Sequence, residues 1–187
     1  MRYTRGFTIV ELIVVITILT ILTVLAVAGM SQNQKNARDV ERAIDAEALA
    51  TSLERYYDNG SVDRYTNSPT VDIYQSGTYP AQEVATKATF LSNILPGLPA
   101  DAVKFSFAST SGFRVDSFIG DQRVDLATAV SRVSTETGVD KITYQPITVV
   151  GGQREICRLT TQDCRAFRLY YRKEVGNELV VIESRNQ

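Results

Sequence analysis

The chain has 187 residues, a formal net charge of −1 and no histidine. That length accommodates one membrane segment plus one globular domain with its own core, and the near-neutral balance argues against nucleic acid as an obligate partner. The absence of histidine excludes Ser-His-Asp and Cys-His catalysis and any histidine-ligated zinc site.

From Phe7 to Gly29 the chain is apolar, and Glu11 is the only charged residue between Arg5 and Lys35. As a helix this stretch is about 35 Å long, enough to cross a bilayer with some tilt. Twelve Leu, Ile or Val residues lie between Leu12 and Val27, and their summed transfer energy outweighs one acid placed near the membrane edge. Arg2 and Arg5 precede the run with no acid beside them, so the positive-inside rule keeps the N-terminus cytoplasmic and sends everything after Met30 outside. A secretory signal peptide is the competing reading, because Ala26-Val27-Ala28 has the A-x-A form of a cleavage site. Against it, the apolar stretch exceeds the length of a signal h-region and carries an acid within it. An uncleaved signal anchor is the third reading.

The segment Arg5-Gly6-Phe7-Thr8-Ile9-Val10-Glu11-Leu12, followed by an uninterrupted apolar helix, resembles the N-terminus of the type IV pilin family, which includes the type II secretion pseudopilins. The resemblance is specific over about the first 30 residues. It implies cleavage by a prepilin peptidase between Gly6 and Phe7, N-methylation of Phe7, and retention of the apolar helix in the mature protein. It also implies that Glu11 is an assembly residue, neutralising the new amine of Phe7 on a neighbouring subunit in a filament core. Burying either charge alone is costly, so such a pair would favour one axial register. A negative charge in the first turn also suits the helix dipole. The expected partners are identical or related pilin subunits, the prepilin peptidase and methyltransferase, the pilus assembly platform, and the cytoplasmic membrane before assembly. No cofactor is expected. Thr17, Thr20 and Thr23 recur along the helix and are expected to bond back to carbonyls one turn earlier. Many pilins carry a proline in this segment; here the first proline is Pro69.

After Met30 the sequence turns polar but keeps helix-forming residues, with no Pro or Gly between Ser31 and Asn59, predicting one helix from about Phe7 to Asp58. Ala37, Val40, Ile44 and Ala48 share a face from which Leu49, Leu53, Tyr56 and Tyr57 have moved round. Such drift suits two partners, neighbouring subunits first and the chain's own sheet second, with a single amphipathic face against one core as the alternative. Asn59-Gly60 supplies the stop.

Ser61 to Pro80 reads as a surface connection, and Ala81 to Leu95 as a short helix closed by Pro96-Gly97-Leu98-Pro99. Val103 to Phe107 and Gly112 to Phe118 alternate as hairpin partners. Asp121 opens a helix carrying Leu126, Val130 and Val133 and ending near Gly138. Strands are predicted at Ile142–Tyr144 and Ile147–Val150, around a Pro146 suited to an edge or bend, and at Ala166–Arg172. Gly176-Asn177 turns the chain into a further strand at Leu179–Glu183. In Ala166–Arg172 one face carries Phe167, Leu169 and Tyr171, and the other Arg168, Tyr170 and Arg172, read as solvated. The fold class is therefore α+β: a long N-terminal helix, membrane-spanning in its first half, packed on an antiparallel sheet of about four strands. The expected domains are a leader at 1–6, a membrane or filament-core helix at 7–29, its extracytoplasmic continuation at 30–58, and a globular head at 59–187.

Cys157 and Cys164 are the only cysteines and lie in the portion expected outside, where a disulfide is the natural state. Asp58, Asn59, Ser61 and Asp63 gather oxygens within six residues, but the spacing is not that of an EF-hand, leaving Asp58 and Asp63 as a calcium candidate against a solvated turn. No phosphate-binding glycine loop is present. The expected function is that of a type IV pilin, not an enzyme, found first in the cytoplasmic membrane and then in an extracellular pilus. The alternatives are a pseudopilin of a secretion or DNA-uptake system, in a periplasmic pseudopilus, and a membrane-anchored or secreted binding protein or enzyme.

Overall fold

The computed structural model describes residues 7–63, 72–87, 90–95, 97–98, 113–115, 131, 133, 135 and 137–186. The chain divides into two compact units, residues 1–38 and 39–187. Helix α1 runs Ile9–Asn59, unbroken because Ala, Leu, Glu and Arg dominate its second half and no proline interrupts it. It stops at Gly60, whose φ of 68° lets its N–H reach the Tyr56 carbonyl at 2.8 Å. A side chain at Gly60 would strike the Tyr74 carbonyl oxygen, so both the left-handed turn and the close approach require glycine there.

In the second unit, Ala46, Leu49, Leu53 and Tyr56 are buried on one side of α1, in one cluster with Ile142, Tyr144, Phe167 and Leu169. Val40 and Ile44 stay about three-fifths exposed, at 60% and 61%. The drifting stripe thus separates into an intramolecular face and an uncovered one.

The sheet is built on β4 (Ile142–Val150) and β6 (Cys164–Arg172), antiparallel over most of their length. Strand β7 (Leu179–Glu183) adds to β6, and β5 (Gln153–Ile156) to β4, giving four antiparallel strands of a five-stranded sheet in an α+β fold. Gly176 and Asn177 both have positive φ, 79° and 54°, as the β6–β7 turn requires.

Several expectations need correction. Ser61 to Pro80 is not wholly a surface connection: β1 (Ser61–Asp63) and β2 (Asp72–Tyr74) pair antiparallel, and Tyr79 is buried edge-on against Phe167, ring centroids 4.9 Å apart. The helix expected over Ala81 to Leu95 is a four-residue α2 (Gln82–Ala85) and a separate π-helical turn at Phe90–Ile94. The Thr86 hydroxyl bonds back to the Gln82 and Glu83 carbonyls where α2 ends, as threonine does when it competes with helix propagation. Residues 103–107 and 121–130, in the expected hairpin and helix, lie outside the described residues. Strand β3 (Phe113–Val115) forms, and it pairs parallel with β4.

Pro146 lies inside β4, opposite Phe167. Its carbonyl accepts from Cys157 N–H at 2.9 Å, so its missing donor faces the same side, at the junction where β3 stops and β5 begins. The Cys157 carbonyl that a residue with an N–H would have engaged accepts instead from Gln82 N–H, at 2.9 Å. The proline thus leaves an acceptor for the start of α2, and no ladder bond is orphaned.

The face of Arg168 and Tyr170 is buried, not solvated. Val133 and Thr137 are buried with it; Thr137 Oγ1 lies 2.8 Å from Thr143 Oγ1, and the Thr137 carbonyl accepts from Arg172 Nε at 2.9 Å. Most of the polar groups find partners within the layer: Tyr170 donates to Gln145 Oε1 at 2.9 Å and Arg168 Nε to Glu183 Oε1 at 3.0 Å, while Arg168 Nη1 is buried without a hydrogen bond among the described residues. Buried polar residues survive only with such partners.

Candidate functional site

The start of α1 is organised by two side chains. The Thr8 N–H and hydroxyl both donate to Glu11 Oε2, at 3.0 and 2.9 Å, and Glu11 N–H donates to Thr8 Oγ1 at 3.2 Å. This is a capping box, in which an N-cap threonine and an acid three residues later satisfy each other's backbone donors. Its signature, Thr-x-x-Glu before an apolar run, stands in the sequence at Thr8 to Glu11. Glu11 Oε1 has no partner among the described residues, so one oxygen remains to accept another charge. Phe7 lies immediately before this cap and is 82% exposed. Gly6 lies outside the described residues.

Beyond the cap, the large apolar side chains from Ile9 to Val27 are exposed, in a helix whose most apolar 18-residue window has a mean hydropathy of 2.8. By length and composition it can cross a membrane. Thr17, Thr20 and Thr23 donate to the carbonyls of Ile13, Ile16 and Leu19 at 2.7–2.8 Å. Their hydroxyls are thereby satisfied without water, as a bilayer or a helix bundle demands.

The first 27 residues match the model of the prokaryotic N-terminal methylation motif. The chain carries the class III signal of type IV pilins and pseudopilins. No curated protein and no solved structure matches the chain. The matched motif and an apolar helix long enough to cross a membrane support a pilin-like or pseudopilin type of N-terminus.

The remaining candidates lie in the second unit. Cys157 and Cys164 form a disulfide, Cα atoms 5.6 Å apart. Its ring is docked on α2, with Gln82 and Glu83 N–H groups donating to the Cys157 and Arg158 carbonyls at 2.9 and 3.0 Å. Inside the ring, Gln162 Oε1 accepts from the Arg158 and Leu159 N–H groups at 2.7 and 3.0 Å. Asp58 sits at the exposed end of α1 and Asp63 in β1. Among the described residues no group of three or more His, Cys, Asp or Glu is placed to hold a metal.

Two carboxylates, buried Glu54 and part-buried Asp39, had no signal in the sequence. Glu54 accepts from the Tyr79 hydroxyl at 2.8 Å and from Arg185 N–H at 2.9 Å, tying the C-terminal segment to α1. Asp39 accepts from the Glu174 and Val175 N–H groups at 2.7 and 2.9 Å and from Arg42 Nη1 at 2.6 Å. Burial would raise the Asp39 carboxyl, but these donors outweigh it and hold the group below the usual carboxylate range.

Proposed function

We propose that this protein is a structural subunit of a type IV pilus, cut between Gly6 and Phe7, methylated on the Phe7 amine, and polymerised through its N-terminal helix. The observation that carries the proposal is Glu11: within a methylation motif and a fully exposed apolar helix, it uses one carboxylate oxygen for the cap and leaves the other open. The amine released at Phe7 of a neighbouring subunit is a fitting partner for that oxygen, because a charge in an apolar bundle persists only when paired. In this reading residues 1–6 are a leader, 7–29 the membrane and filament-core helix, 30–58 its continuation and 59–187 the head. Arg2 and Arg5 hold the N-terminus in the cytoplasm until the leader is cut. The uncovered Val40 and Ile44 are then contacts for neighbouring subunits. The role is structural, with prepilin peptidase, the assembly platform and other pilin subunits as partners.

Mass spectrometry of the mature N-terminus tests this reading. A methylated Phe7 as first residue is the expected result, whereas a chain starting at Gly29 would mark a secreted protein and an intact Met1 a signal anchor. Surface filaments containing the protein are expected; their absence in a strain making methylated protein would favour a pseudopilus.

A further inference from the structure

The head contains a cleft of about 340 Å³, walled by the end of α1, β2 and the bend after it, α2 and the disulfide ring, within the range typical of small-ligand sites. Its walls come from segments fixed by the Cys157–Cys164 bond and by the backbone bonds of α2 to that ring. Three neutral polar groups meet there without partners among the described residues. Tyr56 is 2% exposed, yet its hydroxyl makes no hydrogen bond. Gln162 uses its oxygen on Arg158 and Leu159 N–H, which leaves its amide nitrogen with two unspent donors. Gln75 is exposed, with its amide likewise unengaged. Thr78 and Thr160 add hydroxyls, and the half-buried Tyr74 adds an aromatic ring.

No charged side chain lines the cleft among the described residues. Two charges of opposite sign are engaged on lining residues: Lys87 Nζ donates to the Tyr74 hydroxyl at 2.7 Å, and Glu83 accepts from Thr160 N–H at 3.3 Å. The Tyr56 ring is buried while its unbonded hydroxyl is not among the enclosed polar atoms, so that oxygen is open to water or to a ligand in the cleft. The set of phenol, amide nitrogens, hydroxyls and aromatic ring, with no net charge, suits a ligand having an apolar C–H face and several hydroxyls that both donate and accept. We infer that this cleft binds one ring of a neutral saccharide, with Tyr56 and Gln162 as its hydrogen-bonding contacts. The inference concerns the head alone and stands independently of filament assembly.

The test is saturation-transfer NMR on the full chain in deuterated dodecylphosphocholine, a detergent without a sugar headgroup, with the methyl glycosides of glucose, galactose, mannose and N-acetylglucosamine as probes. Transfer to at least one probe is expected. Tyr56→Phe keeps the ring and removes only the hydroxyl; Gln162→Glu keeps the oxygen that holds the ring loop and removes the donors. Each should weaken binding roughly three- to tenfold, the effect of one neutral hydrogen bond, with an unchanged circular dichroism spectrum. No transfer to any of the four probes from disulfide-intact protein would overturn the inference. So would transfer undiminished in both variants, or stronger displacement of the probe by glucose 6-phosphate than by glucose, which would place the selectivity in charge.

Discussion

The carboxylate of Asp39 and the backbone N–H of Val175, 136 positions apart in sequence, meet at 2.9 Å. The same carboxylate takes the Glu174 N–H and the Arg42 guanidinium, so a single acid on α1 closes the turn between β6 and β7 onto the helix. Replacing it with alanine should cost about 1–2 kcal/mol, because two turn N–H groups lose their acceptor and Arg42 loses its closest counter-charge. The check is thermal or urea unfolding of Asp39→Ala, with loss of amide protection at Glu174 and Val175.

The same group sets an acid limit. Its carboxyl ordinarily titrates near 3.8 and is held lower in the fold. The unfolded chain therefore takes up this proton first as pH falls, and stability declines with it. The contribution is complete above pH of about 4 and is lost below as the folded carboxyl titrates. Unfolding measured from pH 5 to pH 2 should show this slope in the wild type and a shallower one in Asp39→Asn.

At the alkaline end the determinant is Tyr79. Burial, then the hydrogen bond to Glu54, pushes its phenol up to about 12. Unfolded tyrosine loses its proton near 10, so between these values the unfolded state binds fewer protons and stability falls as pH rises. Absorbance of tyrosinate should rise together with loss of near-ultraviolet dichroism in that window. Tyr79→Phe should remove about 1–2 kcal/mol at neutral pH, since a buried oxygen of Glu54 loses its donor, and should flatten the alkaline slope.

The N-terminal helix was legible because a lone acid in an apolar run is conspicuous, and its end at Gly60 because only glycine suits that turn. The β6–β7 hairpin was legible from period-two alternation and Gly176-Asn177. Alternation could not say what covers the face of Arg168 and Tyr170. It assigns residues to faces, whereas the burial of that face accompanies Val133 and Thr137, from a segment distant in sequence. Pro146 suggested an edge because its missing donor must point somewhere harmless. The place it found, between two short strands sharing one side of β4, depends on pairings that local sequence does not encode. Local sequence does not mark Glu54 and Asp39, since apart from Arg42 their partners are backbone N–H groups and a hydroxyl more than 20 residues away.

The disulfide is expected to stabilise the head and to hold the wall of the cleft. Replacing Cys157 and Cys164 together with serine should cost about 2–3 kcal/mol in the chain-entropy account of so short a ring. The loss should extend to α2, because Gln82 and Glu83 N–H depend on carbonyls within the ring. Faster amide exchange at those two residues, with β6 and β7 still protected, is the expected pattern. Uniform loss of protection across the sheet would show instead that the bond supports the whole head.

Glu11 carries two roles that substitutions can separate. Glutamine at this position still offers an oxygen to the Thr8 N–H and hydroxyl, so Glu11→Gln retains the capping box and removes only the charge. Thr8→Ala does the reverse: it removes the side-chain half of the cap and leaves the carboxylate intact. If the carboxylate pairs with the Phe7 amine of a neighbour, Glu11→Gln should be inserted and processed yet yield few filaments, while Thr8→Ala should assemble. If helix capping is what assembly needs, the two variants should exchange behaviour. Filament yield by shearing, measured beside the mass of the processed N-terminus in membranes, distinguishes the outcomes, since a subunit that is cut and methylated but unassembled has failed at the pairing step alone.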